Sequence, residues 1–465
     1  MEKITLKNLL ESVKGTLVGD FNNLATEIHH VELDSRKVKA LDVFFAIIGE
    51  KHDAHLFIDS VKDGVGFVIS KELPVYEKEK FYILVEDTTK ALGDLAKWYK
   101  NQFDIPFIAV TGSVGKTTTK DMIASVLGAK FQVHKTQGNF NNNIGLPLTL
   151  LQLETKHEIC VLEMGMDSFG EIDYMANIVK PDYAVITNIG DAHIERLGNR
   201  EGIRKAKFEL LPHISPSGML FLNGDDPLLS GAVKDTSFTV ITVGAEGHNP
   251  YSVREIIPDF PYGICCLVET PEYSCKVKVP AMGNHMQYPL LFALAIGNQL
   301  EMTQAELLLG VEHFSPSKMR MNLIDLADDM LILDDCYNAN PQSMKAAIDI
   351  LSNFSSQKTI AVLGDMLELG DISQSAHSDL GVYLTQKRID QVLAIGECCH
   401  DMVTAIRAED TCKTAVHYCD SNDQLLNILW ELMSPHTVVL FKASRGMALD
   451  LMVQKTVNYF TKEGR

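Results

Sequence analysis

The string Thr111-Gly-Ser-Val-Gly-Lys-Thr117, continued by Thr118, brings together the groups that hold a triphosphate. Backbone N–H groups of Gly112, Ser113, Val114, Gly115 and Lys116 can form an anion cradle at a helix start. The Lys116 ammonium can reach the outer phosphates, and the Thr117 hydroxyl can ligate Mg²⁺. The first glycine of the usual G-x-x-x-x-G-K-[ST] loop is Val110 here. Even so, a Gly-x-x-Gly-Lys-Thr string arises by chance in a chain of this length roughly once in a hundred. Context narrows it further. Phe107 to Val110 forms a short apolar strand, and Met122, Ile123, Val126 and Leu127 recur at helical spacing. The expectation is a bound nucleoside triphosphate. Kinase, GTPase switch, ATPase and ligase all remain open on the loop alone.

Three more residues could take part. Glu163 ends the apolar run Ile159-Cys-Val-Leu-Glu163, so its carboxylate lies at the carboxyl end of a strand. A metal ligand or water-positioning group serves a phosphate loop from that place, although a strand-end Glu is more often simply solvated. His193 follows Tyr183 to Thr187 in the loop Asn188-Ile-Gly-Asp-Ala-His193. A lone loop histidine is usually structural, and Mg²⁺ prefers oxygen. Lys207 falls in the helical stretch Glu201 to Leu211, where a solvated lysine is the default.

These groups need a scaffold. The chain has 465 residues, enough for about three domains at roughly 150 residues each. Short apolar strands alternate with amphipathic helices from Ile105 onward, the pattern of a parallel sheet covered on both faces. Expected strands are Phe107 to Val110, Ile159 to Glu163, Tyr183 to Thr187 and Met219 to Leu222. A second set follows the connector His313 to Ser317: Met330 to Leu333, Thr359 to Leu363, Gln391 to Ile395 and Thr437 to Phe441. The segment Gln342 to Leu351 reads as a helix. The expected fold class is α/β in three domains: a small α/β domain over 1–103, a central P-loop parallel-sheet domain over 104–316 and a Rossmann-like domain over 317–465.

A formal charge of −19 and 46% hydrophobic residues describe a globular chain with no overall attraction for nucleic acid or anionic membrane. The longest apolar runs fall far short of the roughly 20 residues of a membrane helix, and the N-terminus lacks a signal-peptide core. Nine scattered cysteines without a Cys-x-x-Cys spacing read as reduced thiols. The expected location is the cytoplasm.

Taken together, the sequence resembles the Mur ligase family, the ATP-dependent amide-forming enzymes of peptidoglycan precursor synthesis, with its consequences for cell-wall biogenesis, cell shape and division. The likeness rests on the phosphate loop, Gly138-Asn-Phe-Asn-Asn-Asn-Ile-Gly145, Glu163-Met-Gly-Met166, Ile186 to His193, Ala206-Lys-Phe-Glu209 and Leu222-Asn-Gly-Asp-Asp226. Asp335 to Met344, Val362 to Gly370 with His377, and Lys442 to Met447 resemble the members that add a D-Ala-D-Ala dipeptide to UDP-MurNAc-tripeptide. The resemblance implies ATP phosphates on Gly112 to Thr118, one Mg²⁺ on Thr117 and Glu163, and a second on His193. It implies that CO₂ carbamylates Lys207, turning an ammonium into an oxygen ligand. Asn139 and Asn142 belong to a substrate-binding string. Asn338, Asn340 and Arg445 are implied to face the dipeptide and acyl intermediate, with Asp335 and Tyr337 near the nucleotide. Asp34-Ser35-Arg36 and Gly49 to His55 resemble loops that recognise UDP, and a monomer is the family expectation.

Some positions depart from the pattern. His285 is kept in the nucleotide-base string, but Met286 replaces Asn and Pro289 stands where another Asn is usual. Ala40-Leu41, Asp53-Ala54-His55 and Lys442-Ala443-Ser444 each lack a customary glycine. Two other readings therefore accompany the ligase: a nucleotide-binding paralogue without activity, and a folylpolyglutamate-synthetase-like ligase. Retention of Thr117, Glu163, His193 and Lys207 favours an active enzyme, and Asp335 to Met344 favours the cell-wall member.

Overall fold

Every residue of Phe107–Thr111 (β1) is buried, as expected of a strand covered on both faces. Its side chains alternate. Phe107 and Ala109 enter one apolar core with Leu146, Met175 and Ile203, while Ile108 and Val110 enter another with Met122, Leu290 and Leu294. The computed structural model describes residues 1–49, 51–234, 236–245, 247–259, 261–409 and 413–462.

The helix Lys116–Leu127 (α1) follows β1 directly. After it come Ile159–Glu163 (β2), Glu171–Val179 (α2), Tyr183–Ile186 (β3), Arg200–Phe208 (α3) and Met219–Asn223 (β4). Strand β1 pairs in parallel with β2 on one side and β3 on the other, and β3 pairs in parallel with β4. The carboxyl ends of these strands therefore meet on one edge, where such sheets bind ligands. Val110 pairs with Glu163 and with Val185, which explains its departure from the glycine pattern: a β-branched residue fills the strand between two neighbours.

Beyond β4 the sheet continues through Thr239–Gly244 and Tyr251–Asp259 and then turns antiparallel through Gly263–Glu269 and Ser274–Val279. The sequence pattern did not expose this antiparallel extension, because its half-buried alternation differs from the continuous apolar runs of the parallel strands.

In the last domain, Leu331–Asp334 (β5), Lys358–Gly364 (β6) and Thr437–Lys442 (β7) form the middle of a second sheet, with β7 between β5 and β6 and all three parallel, and the helix Pro341–Ser352 (α4) lies between β5 and β6 in the chain. Asn322–Asp325 adds an antiparallel edge. The first domain has its own five-stranded sheet among the described residues. Its core is not isolated, because Leu6, Val43 and Tyr99 share a continuous apolar cluster with Phe107 and Leu153. Tyr99 Oη donates to Leu153 O at 2.6 Å and accepts from Glu2 N at 2.6 Å. No helix among the described residues is long and apolar enough to cross a membrane.

Candidate active site

The phosphate loop depends on glycine at two places. Gly115 has φ 81° where α1 begins. Gly112 has φ 150°, and a Cβ there would lie 1.9 Å from Thr187 Oγ1, so any side chain would force β1 and β3 apart. Asn188, just beyond β3, braces the turn: its carbonyl accepts from Ser113 N at 3.0 Å, and its side chain accepts from Val114 N and donates to Val114 O, each at 2.9 Å. This corrects the expected cradle. The Ser113 and Val114 amides are committed to Asn188, which leaves the amides at the start of α1, from Gly115 onward, among the donors for an anion. Ser113 contributes instead by accepting from Gly190 N at 2.8 Å through its hydroxyl.

Lys116 folds back on its own loop, donating to Gly112 O at 2.9 Å. Burial lowers its pKa, while the negative charge of Glu163 works the other way. Glu163 is 2% exposed. Its Oε1 accepts from Asn141 Nδ2 at 2.8 Å, and its Oε2 is buried with no hydrogen-bond partner. An orphaned carboxylate oxygen is costly unless something else binds it. Placed beside a phosphate loop that carries the Thr117 hydroxyl, it fits an oxygen-seeking divalent cation. Of the asparagines in the 138–145 string, then, Asn141 touches the site, whereas Asn142 accepts from Gly145 N and shapes the loop. Asn139 O accepts from Asn141 N at 2.7 Å.

Lys207, near the end of α3, is 2% exposed rather than solvated. Burial, reinforced by the charge on Lys116, depresses its pKa well below that of an ordinary lysine. Its neighbour Glu209 accepts from Gly170 N at 2.9 and 3.0 Å, tying the end of α3 to the start of α2. His193 holds φ 63°, and its Nδ1 lies 3.1 Å from Asp167 Oδ1 and 3.0 Å from Glu368 Oε2 of the last domain.

The last domain contributes a residue that local spacing did not reveal. Arg320 reaches Thr117 Oγ1 at 3.4 Å from the connecting segment, with its guanidinium 4.0 Å from the ring centroid of Tyr337. Asp335 is paired to Lys442 at 2.6 Å and accepts from Met321 N at 3.1 Å. The Asn338 side chain accepts from Ala339 N, and Asn340 caps α4 by accepting from Ser343 N at 2.9 Å. Arg445 is paired to Asp450 at 3.3 Å. His285 lines a cavity of about 180 Å³ with Asn284 and with Asp349 and Ile350 of α4. A cleft of about 250 Å³ opens nearer the phosphate loop, lined by Ile189, Arg200, Asn223, Asp225, Tyr288 and Gln342.

In the first domain, Arg36 is held bidentately by Asp34 at 2.8 and 2.9 Å, with Ser35 between them. This loop follows His30–Glu32, and Ile47 to His55 follows the parallel neighbour Asp42–Phe45, so both lie at strand carboxyl ends. His55 Nδ1 lies 2.7 Å from Asp53 Oδ1, and its Nε2 accepts from Ser70 N at 2.9 Å. Glu50 of the expected UDP loop lies outside the described residues.

One more cluster is structural. Asp365, His377 and Cys398 place potential ligand atoms within 4.8 Å of one another. Both His377 nitrogens are already engaged, Nε2 accepting from Met366 N at 3.0 Å and Nδ1 donating to Ser373 O at 2.8 Å.

Fold and site thus define a three-domain α/β protein with a phosphate loop, a metal-ready carboxylate and a last domain that reaches the nucleotide site. The same division is found in known proteins. Residues 27–100 match the Mur ligase family catalytic domain, 110–297 the Mur ligase middle domain and 319–445 the Mur ligase glutamate ligase domain. The chain belongs to the Mur ligase family. It is 39% identical to the UDP-N-acetylmuramoyl-tripeptide–D-alanyl-D-alanine ligase of Bacillus subtilis, over 98% of this chain and 99% of that protein. A crystal structure of MurF from Acinetobacter baumannii is similar with a TM-score of 0.88 and 31% identity, covering 98% and 99% of the two chains. MurF from Thermotoga maritima in complex with ADP gives 0.82 and 27%, covering 95% of this chain and all of that one.

Proposed function

We propose that the protein joins D-Ala-D-Ala to UDP-N-acetylmuramoyl-tripeptide with cleavage of ATP to ADP and phosphate, in peptidoglycan precursor synthesis. The observation that carries the reading is the buried Glu163 carboxylate, with Oε2 unpartnered, beside Lys116 and Thr117.

A free carboxylate is a poor acylating agent, because its leaving group would be an oxide dianion. The γ-phosphoryl group of ATP is therefore transferred to the terminal carboxylate of the tripeptide, releasing ADP and forming an acyl phosphate. Lys116 and the amides from Gly115 onward offset the repulsion between the two anions. The amine of D-Ala-D-Ala then attacks the acyl carbon, loses a proton and expels phosphate, leaving the amide. Arg320, seated on Thr117 and Tyr337, adds positive charge next to the phosphates. Bound Mg²⁺, held by Thr117 and Glu163 and at a second position by His193 and carbamylated Lys207, would neutralise charge on the transferring phosphoryl group. Burial, helped by the charge on Lys116, lowers the Lys207 pKa and so favours the free amine, the form that adds to CO₂.

The three domains divide the substrates. The loops of Asp34 to Arg36 and Gly49 to His55 receive the UDP end, the central sheet receives ATP and the acyl group, and the region of Asn338, Asn340 and Arg445 receives the dipeptide. One chain carries all three tasks, so the working unit is a monomer, and its dependence on ATP favours the cytoplasm. Closure of the last domain keeps water from the acyl phosphate.

The test is phosphate release with ATP, Mg²⁺, UDP-MurNAc-tripeptide and D-Ala-D-Ala, with D-Ala-D-lactate as competitor. Acceptor-dependent release of one phosphate per amide is expected. ATP binding without release in the presence of any acceptor would overturn the reading.

A further inference from the structure

We propose that Glu368 of the last domain is a positioning residue for His193, fixing the imidazole so that its Nε2 lone pair is presented to the metal site. The inference rests on the ligase reading above and extends it across the domain boundary. Two carboxylates lie on one nitrogen: Asp167 Oδ1 at 3.1 Å and Glu368 Oε2 at 3.0 Å from His193 Nδ1. A carboxylate can only accept, so contact with either oxygen calls for a proton on Nδ1; of the two neutral tautomers, that is the one whose Nε2 can bind a cation. Histidine ligands are commonly oriented in this way, by an acceptor on the ring nitrogen that does not bind the metal.

Both sides of the contact are firmly placed. His193 and Glu368 hold φ 63° and 64°, conformations that side-chain-bearing residues rarely adopt unless their surroundings require it. The Glu368 loop is anchored within its own domain: Met366 N donates to His377 Nε2 at 3.0 Å and Leu367 N to Ser444 Oγ at 2.8 Å, while Leu369 is buried. The loop also lies against Ile194–Leu197, the helix that begins at His193. A Cβ on Gly370 would come within 3.1 Å of Glu195 Cγ. This gives the buried His377 a purpose, since it sets the loop that carries Glu368.

The two carboxylates differ in origin. Asp167 belongs to the central domain, as His193 does, whereas Glu368 belongs to the last domain. Its side chain is 61% exposed, so as a bare surface ion pair it would contribute little to stability. A positioning role and an incidental contact therefore predict different results.

The test compares the wild-type chain with Glu368→Gln, Glu368→Ala and Glu368→Asp in bicarbonate-containing buffer. Mn²⁺ binding is followed by electron paramagnetic resonance at one equivalent of non-hydrolysable ATP analogue, so that the second Mn²⁺ equivalent reports the His193 position. In Glu368→Gln and Glu368→Ala this second equivalent should bind about tenfold more weakly. The first equivalent and the melting temperature should be unchanged, kcat should fall by a similar factor with KM for ATP held, and Glu368→Asp should be intermediate. Second-equivalent binding in Glu368→Gln within twofold of wild type would overturn the inference. Failure of the ligase reading is a separate result, absence of phosphate release by the wild-type chain.

Discussion

Glu163 concentrates the chemistry of the central domain in one side chain, buried and half satisfied. Glu163→Gln keeps the volume and an acceptor for Asn141 but removes the charge that a cation requires. Phosphate release should fall by roughly 100- to 1,000-fold, the scale of losing one preorganised electrostatic group. Calorimetry should show that the metal-free nucleotide still binds. Lys207→Ala should lower turnover by roughly 100-fold or more. Acetate or propionate added to the assay should restore part of it by supplying the missing carboxylate; unchanged turnover would remove the carbamate from the mechanism. The sequence singled out Lys116, Thr117 and Glu163 because a loop and a strand end carry their chemistry in local order, and the structure brings the three together. It did not reveal Arg320 or Glu368, since each reaches its partner across a domain boundary; Arg320 and Thr117 are 203 positions apart. Asn139 and Asn142 were singled out in a run of similar residues in which only the fold shows that Asn141 faces Glu163.

Among the elements, strands buried on both faces were the most legible, because a continuous apolar run next to a turn has few other solutions. The expected Ile159 to Glu163 and Gln391 to Ile395 coincide with the observed strands. Interactions that join domains are harder to read, and Tyr99 is an example. It ends the helix Thr88–Lys100, and its hydroxyl bonds the first domain to Leu153 of the second. Tyr99→Phe should cost roughly 1 to 3 kcal/mol, since a buried carbonyl and a backbone N–H lose their partner. Burial pushes the Tyr99 hydroxyl up to about 12. The folded chain thus keeps a proton that the unfolded chain, with its ordinary tyrosine near 10, gives up. This contribution is complete below pH 10 and is lost as pH rises from about 10 to 12. The difference in melting temperature between wild type and Tyr99→Phe should be constant from pH 7 to 9 and shrink above 10. A difference that grows there would contradict the assignment.

For the whole molecule, the net charge of −19 coexists with the proposed binding of ATP and a nucleotide-sugar peptide, both strongly anionic. Attraction must be local, and the structure places it where the last two domains meet. Asp121 on α1 illustrates the joint: burial works against its charge, but Lys120, Lys135 and the Ser317 hydroxyl overcome this and hold its pKa below the usual carboxylate range. Ser317 belongs to the segment that leads into the last domain, and three residues later Arg320 lies across Thr117. The last domain as placed thus sets a guanidinium against the phosphate loop. A lysine keeps the charge but loses both the planar fork and the stacking on Tyr337. If Arg320 serves only as positive charge, Arg320→Lys should leave kinetics nearly unchanged. If its placement depends on Tyr337, Arg320→Lys and Tyr337→Ala should each reduce kcat/KM for ATP by roughly 10-fold or more, and the double variant should lose little beyond the worse single change. We expect the second pattern, measured by steady-state phosphate release at saturating acceptor. Additive losses would show that the two residues act independently and that the joint delivers charge without geometry.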